Sequence, residues 1–299
     1  MRPPFEPVFA GNRLRAALHP GTDRRNLLVV TFDFRRTTRK GFSDLDFSSS
    51  FARQGHAQLS ISCRENDWFI NDETEALERV LARVAARFAE VRALGYSMGG
   101  YGAFRFARTL RLTGIVAVSP QSTIVPGAVP GDRRYAAEAR GFDPVLGDLH
   151  GRGRTDLPGL ILVDPLNRLD LAHARRITEI FPQVRIVALP CAGHPASKVL
   201  GEAGRGWLLQ REAVAGSLTG AAIRTAWREV RRDSARYWTN FAKAAQDRHP
   251  KWATQAAAQA ALCATRDSEA RSDARAQQIE NTRRNAARRT ARSTTGKAG

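Results

Sequence analysis

The sequence predicts an α/β fold, a mostly parallel central sheet covered by helices on both faces, with a helical, basic C-terminal extension. Three observations carry that prediction. Short apolar, β-branched runs such as Asn26–Phe32 suit parallel strands buried on both faces. Between them lie stretches of helical periodicity, clearest in Ala76, Leu77, Val80, Leu81, Val84, Ala85 and Phe88, which recur at three and four. A turn of small residues, Gly95-Tyr96-Ser97-Met98-Gly99, joins one such strand to one such helix. Alternation of this kind implies right-handed crossovers between parallel strands.

Taken in order, residues 1–26 are turn-rich, with short strands expected at Pro7–Ala10 and Arg13–Leu18. Asn26–Phe32 is a strand, followed by the basic loop Asp33–Gly41. His56–Ser62 is the next strand, ending at Cys63. A helix opens near Asn71 or Asp72, whose side chains suit its free N–H groups. Val91–Leu94 leads into the Ser97 turn, Gly99–Phe104 leaves it as a helix, and Leu112–Ser119 is a further strand. Pro120–Pro158, rich in Pro, Gly and charge, interrupts the alternation as an insertion or lid, with a short helix expected near Asp132–Arg140. The pattern resumes with strand Gly159–Asp164, helix Asp170–Phe181 and strand Val184–Pro190. Helical segments then cover Ala196–Leu218.

From Ala221 the texture changes to Ala, Arg and Gln. The expected organisation is a domain over 1–220, a helical extension over 221–280 and a basic, disordered tail over 281–299. The chain carries 47 Lys/Arg against 29 Asp/Glu, a formal net charge of +18, more than half of it beyond Ala221. Arg-rich tails bind phosphates. Here Ala and acids up to Glu280 dilute the signal, so the reading is a solvated tail, with no nucleic-acid partner. Cys63, Cys191 and Cys263 have neither paired nor metal-like spacing, which fits a reducing, cytoplasmic setting. No apolar run is long enough for a membrane span, and no secretion signal is visible. Oligomeric state is left open.

The chemistry begins at Ser97. A serine hydroxyl attacks only when a base takes its proton, and the base needs an acid to orient it. In open α/β sheets such groups gather at the carboxyl ends of strands. Asp164 ends one strand, and His194 follows the last strand in Gly193-His194-Pro195. Of the other histidines, His19, His249 and His150 lie in outlying segments or the insertion. His56 begins a strand at the wrong edge, and His173 falls inside a helix, where packing is the simpler role.

These residues resemble the α/β-hydrolase superfamily over residues 25–215, carried by Gly95-Tyr96-Ser97-Met98-Gly99-Gly100, Val163-Asp164-Pro165 and Gly193-His194. The resemblance implies Ser97 as nucleophile, His194 as general base and then acid, and Asp164 as the orienting carboxylate. Asp170 is the rival acid; it is also well placed to cap the helix that follows it. Gly41-Phe42, Asn66-Asp67-Trp68-Phe69 and the serine turn also look like hydrolase-like proteins of bacterial cell-surface glycan and glycoprotein export. The implied activity is cleavage of a carboxylic ester or thioester, on a small-molecule or glycan-linked acyl substrate. No metal or organic cofactor is implied. The alternatives are acyl transfer by the same three residues, or a non-catalytic scaffold.

An oxyanion hole needs preorganised donors. One is expected from the backbone N–H of Met98, the other from the loop after Asn26–Phe32, at Asp33 or Phe34. That loop departs from the hydrolase pattern, since Asp33 stands where glycine is usual. Its Arg35, Arg36, Arg39 and Lys40 are read either as a solvated loop or as attraction for an anionic substrate. Trp68 and Phe69 either wall a substrate pocket or pack beneath the loop. Cys63 and Cys191 are expected to be buried and inert. Gly99-Gly100-Tyr101-Gly102 lacks the lysine of a phosphate-binding loop.

Overall fold

The computed structural model describes residues 5–22, 26–45, 47–152 and 155–295. Eight strands form one sheet: β1 (Glu6–Ala10), β2 (Leu14–His19), β3 (Leu27–Phe32), β4 (Ala57–Cys63), β5 (Glu90–Tyr96), β6 (Gly114–Val118), β7 (Gly159–Val163) and β8 (Val184–Ala188). Their order is β1-β2-β4-β3-β5-β6-β7-β8. β1 and β2 pair antiparallel, β2 runs antiparallel to β4, and all other pairings are parallel. Every residue of β3, β6 and β7 is buried. Because alternate side chains point to opposite faces, such strands must be covered on both.

The covering helices of this first unit, Met1–Arg231, are α1 (Ser49–Arg53), α2 (Thr74–Ala85), α3 (Met98–Arg105), α4 (Arg168–Ile180), α5 (Lys198–Glu202), α6 (Trp207–Val214) and α7 (Ala221–Val230). The apolar stripe of α2 is the buried one, through Leu77, Leu81, Val84 and Ala85. Its start is displaced from Asn71/Asp72 to Thr74, because Asn71 Oδ1 accepts the Glu73 N–H while the Thr74 hydroxyl accepts the Asn71 N–H. Glu73 in turn accepts the N–H groups of Asn12, Arg13 and Leu14, pinning the β1–β2 turn to the helix.

β3 connects to β4 on one side, and the chain then crosses to β5 on the other. The strand order therefore reverses between β3 and β5. A crevice opens at the carboxyl ends of strands at such a point. Among its described residues, the segment between β6 and β7 holds turns and a 3₁₀ turn at Glu138–Gly141, in place of the helix expected near Asp132–Arg140.

The second unit, Arg232–Gly299, contains α8 (Ala235–Ala245) packed on the 46-residue α9 (Pro250–Thr295). Ser234 caps α8 by accepting the Tyr237 N–H. Helix runs through most of the segment expected to be a disordered tail, in keeping with the high helix propensity of Ala, Arg and Gln. The final four residues of that expected tail lie outside the described residues. No described helix is long and apolar enough to cross a membrane.

Candidate active site

Ser97 sits between β5 and α3 at φ 51°, ψ −118°, a strained conformation for a residue with a side chain. Its N–H bonds Val118 O and its carbonyl accepts the Tyr101 N–H, so the turn is tied to the neighbouring strand and to its own helix. Small residues are obligatory here. A Cβ on Gly95 would run into the Gly99 carbonyl, and one on Gly99 would lie 2.6 Å from Phe32 O. Left-handed backbone recurs along this edge at Trp68, Phe69, Ser119 and Cys191, each just past a strand's carboxyl end.

His194 Nε2 lies 3.0 Å from Ser97 Oγ, and His194 Nδ1 lies 2.7 Å from Asp170 Oδ2. An ionised carboxylate only accepts, so Nδ1 carries the proton and Nε2 is left to accept from Ser97. The carboxylate beside the histidine is thus Asp170, not Asp164. Asp170 is free to turn inward because Asn167 supplies the helix cap, its Oδ1 accepting the Asp170 N–H. Burial alone would raise the Asp170 carboxyl. The hydrogen bond and charge of His194, then those of Arg134, outweigh it and hold the group below its ordinary range.

Asp164 has another job. Its Oδ1 accepts the N–H groups of Leu166 and Cys191 at 3.0 Å, and its Oδ2 accepts that of Gly193 at 2.8 Å. It therefore binds the end of β7 to the turn that carries His194. Both its oxygens are occupied by backbone donors, and the imidazole Nδ1 bonds Asp170 instead.

The loop after β3 also differs from expectation. The Phe34 N–H, the expected second oxyanion donor, is spent on Asp33 Oδ1 at 2.8 Å, and the Asp33 N–H bonds Ile61 O. Asp33 Oδ2 pairs with Arg39 at 2.8 Å. Arg39, nearly buried, also donates to Asn66 Oδ1, Cys63 O and Phe34 O, clamping the loops after β3 and β4 together. Arg35 reaches Glu138 in the insertion at 2.7 Å, and Arg36 stacks 4.5 Å over exposed Phe34. Lys40 is exposed.

Trp68 and Phe69 are fully buried. Phe69 packs edge-on against Phe32, and Trp68 against Tyr135 at 4.8 Å. The Trp68 indole N–H donates to Gln121 Oε1 at 3.3 Å, and Gln121 Nε2 lies 3.3 Å from Ser97 Oγ. These aromatics support the site from beneath. Burial pushes the Cys63 thiol well up and the Cys191 thiol up to about 12, as suits inert cysteines.

Sequence reasoning did not single out Gln121 or the polar cluster of the insertion. Asp132, Arg134 and Tyr135 gather beside Asp170 and His173, next to a cavity of about 350 Å³ lined also by Thr123, Ile124 and Val129. Gln121 lies two residues beyond the edge turn at Ser119, a position that chain order alone does not mark. Among the described residues no cluster could hold a metal ion.

No known family model matches the chain, and no curated protein does. Solved structures do. The Gap123 glycosylation-associated complex of Streptococcus agalactiae superposes with a TM-score of 0.50 at 14% identity, covering 69% of this chain and 45% of that one. MPT51 of Mycobacterium tuberculosis gives 0.45 at 13%, covering 71% and 99%. The capsule O-acetyltransferase of Neisseria meningitidis serogroup A gives 0.42 at 14%, covering 60% and 85%. At such identities the likeness speaks for the fold alone. With the strand order above, that fold is the α/β-hydrolase fold.

Proposed function

We propose that the protein is a serine hydrolase that cleaves a carboxylic ester or thioester through an acyl-enzyme. One observation carries this reading: the unbroken series Ser97 Oγ, His194, Asp170 at 3.0 and 2.7 Å, on a strained strand-to-helix turn. In the first half-reaction the Ser97 proton passes to His194 Nε2 as Oγ attacks the acyl carbon. Asp170 stabilises the imidazolium that forms and holds its tautomer. The tetrahedral intermediate collapses when His194 returns the proton to the leaving oxygen or sulfur, whose bond to carbon breaks. Water then attacks the Ser97 ester, giving its proton to His194, and Ser97 Oγ leaves with that proton restored.

The oxyanion is met by the Met98 N–H, which has no intrahelical acceptor because it opens α3. With the Phe34 N–H committed to Asp33, the second donor in this reading is the Gln121 amide, which donates to Ser97 Oγ and Ser119 O and turns one of those N–H groups to the oxyanion when it forms. Buried Trp68 holds that amide through its Oε1.

The test is labelling with a fluorophosphonate, followed by turnover of p-nitrophenyl esters and acyl thioesters with and without sugar acceptors. A Ser97-dependent adduct and acyl release to water are expected. No adduct, with the fold intact, overturns catalysis altogether. Acyl groups recovered on the sugar instead of in water would make the protein an acyltransferase.

A further inference from the structure

The acid of the serine array has a second oxygen, and a chain of polar contacts leads from it into the insertion. Arg134 Nη1 donates to Asp170 Oδ1 at 2.6 Å. Asp132 holds the same guanidinium through Nε and Nη2, at 2.8 to 3.2 Å. His173, on α4, lies with Nε2 2.9 Å from Asp132 Oδ2. Its Nδ1 faces both the backbone N–H and the hydroxyl of Ser122, each at 3.0 Å. A backbone N–H can only donate, so Nδ1 accepts and the His173 proton sits on Nε2, aimed at Asp132. Burial lowers the His173 pKa against the pull of Asp132, so the ring stays neutral near pH 7. Asp132, although burial opposes it, is held well below the ordinary carboxylate range by Arg134 and then His173.

We infer that Arg134 and Asp132 form a charge-balanced strut by which the insertion positions Asp170 and sets the proton affinity of His194. This rests on the catalytic reading above only for its consequence in turnover; the electrostatic claim stands on the contacts themselves. Arg134 fixes the Asp170 carboxylate in one rotamer, with Oδ2 toward the imidazole. Alone, its positive charge would cancel the negative charge that His194 needs as it becomes an imidazolium. Asp132 offsets that positive charge, so the group formed by Asp132, Arg134 and Asp170 keeps one net negative charge beside the ring. Neutral His173 anchors Asp132 without adding charge. Tyr135 of the insertion also faces this cluster, its ring beneath the Arg134 guanidinium.

The strut makes a prediction that scaffolding alone does not. Removing Arg134 takes away a positive charge, so protonated His194 becomes easier to form. Removing Asp132 leaves Arg134 unbalanced, so it becomes harder. In the full chain with ¹³Cε1-labelled histidine, NMR titration of His194 should move up by about half a unit in Arg134→Gln and down by a similar amount in Asp132→Asn. The acid limb of fluorophosphonate labelling at Ser97 should move in the same two directions. The Arg134→Gln loss in labelling rate, about tenfold, should vanish in an Asp170→Asn background, since the guanidinium acts through that carboxylate. Shifts in the same direction, no shift in either variant, or an undiminished loss in the Asp170→Asn background would overturn the inference. If the parent protein does not label, the catalytic reading fails, while the two opposed NMR shifts still decide the strut.

Discussion

Asp164 and Asp170 lie six residues apart, at the end of β7 and in the first turn of α4, and both are buried. Their partners differ in kind. Asp164 accepts three backbone N–H groups, whereas Asp170 engages two side chains, one neutral and one cationic. A carboxylate saturated by backbone donors holds loops together and has nothing left to exchange. A carboxylate held between an imidazole and a guanidinium can respond to a proton arriving on the ring. The pair shows that position along a strand edge is a weak guide to a carboxylate's role, and that the nature of its donors is a strong one.

The reference for that comparison is Ser97→Ala, which should abolish adduct formation and lower ester turnover by on the order of 10⁶-fold. Asp170→Asn comes next. Loss of the carboxylate that holds the Nδ1–H tautomer should cost about 10³- to 10⁴-fold in kcat, with an unchanged circular dichroism spectrum at a temperature well below melting. Asp164→Asn should show the complementary pattern. Its amide nitrogen would face a backbone N–H, costing about 1–3 kcal/mol in urea unfolding, while kcat of the folded protein falls far less than in Asp170→Asn. If Asp164→Asn were the dead enzyme and Asp170→Asn merely unstable, the roles assigned here would be exchanged.

A pH experiment sharpens the same contrast. The carboxyls of Asp132 and Asp170 titrate below their ordinary range in the native protein. A depressed native pKa contributes stability that is complete above the unfolded value, near 3.9, and is lost as pH falls through the native value. The stability deficit of Asp132→Asn should therefore be full at pH 6 and shrink below about pH 4. A deficit that stayed constant into acid would mean that its ionisation is not what the fold uses. The smallest effect is expected beneath the site. Trp68→Phe removes the N–H that holds Gln121 and part of the buried indole packed on Tyr135, and should lower kcat only a few-fold, with the lost volume costing about 1–2 kcal/mol in stability.

Arg39 illustrates why part of the site was not legible in the sequence. In Arg35-Arg36-Thr37-Thr38-Arg39-Lys40 the basic residues look equivalent. In the fold Arg39 is a nearly buried clamp, Arg35 reaches an acid over a hundred residues away, and Lys40 is exposed. Trp68 and Phe69 were equally ambiguous, because an aromatic pair at a strand end serves a pocket wall or a core with the same composition.

What the sequence determined by itself is what local pattern encodes. The apolar runs specify strands buried on both faces, and the glycines at 95 and 99 specify the sharp turn that exposes Ser97 at the carboxyl edge. The chain order puts His194 in the turn after the last strand. Only the tertiary structure decided which carboxylate meets the imidazole, where the Phe34 N–H is spent, and that Asp132 and Arg134 of the insertion reach Asp170. Those outcomes depend on side-chain direction and on competition among donors from distant segments. A helix capped by Asn167 releases Asp170, and a turn three residues after Ala188 captures Asp164. Neither event has a local signature, because each is settled by which donors the fold brings within reach and not by the residue's neighbours in the chain.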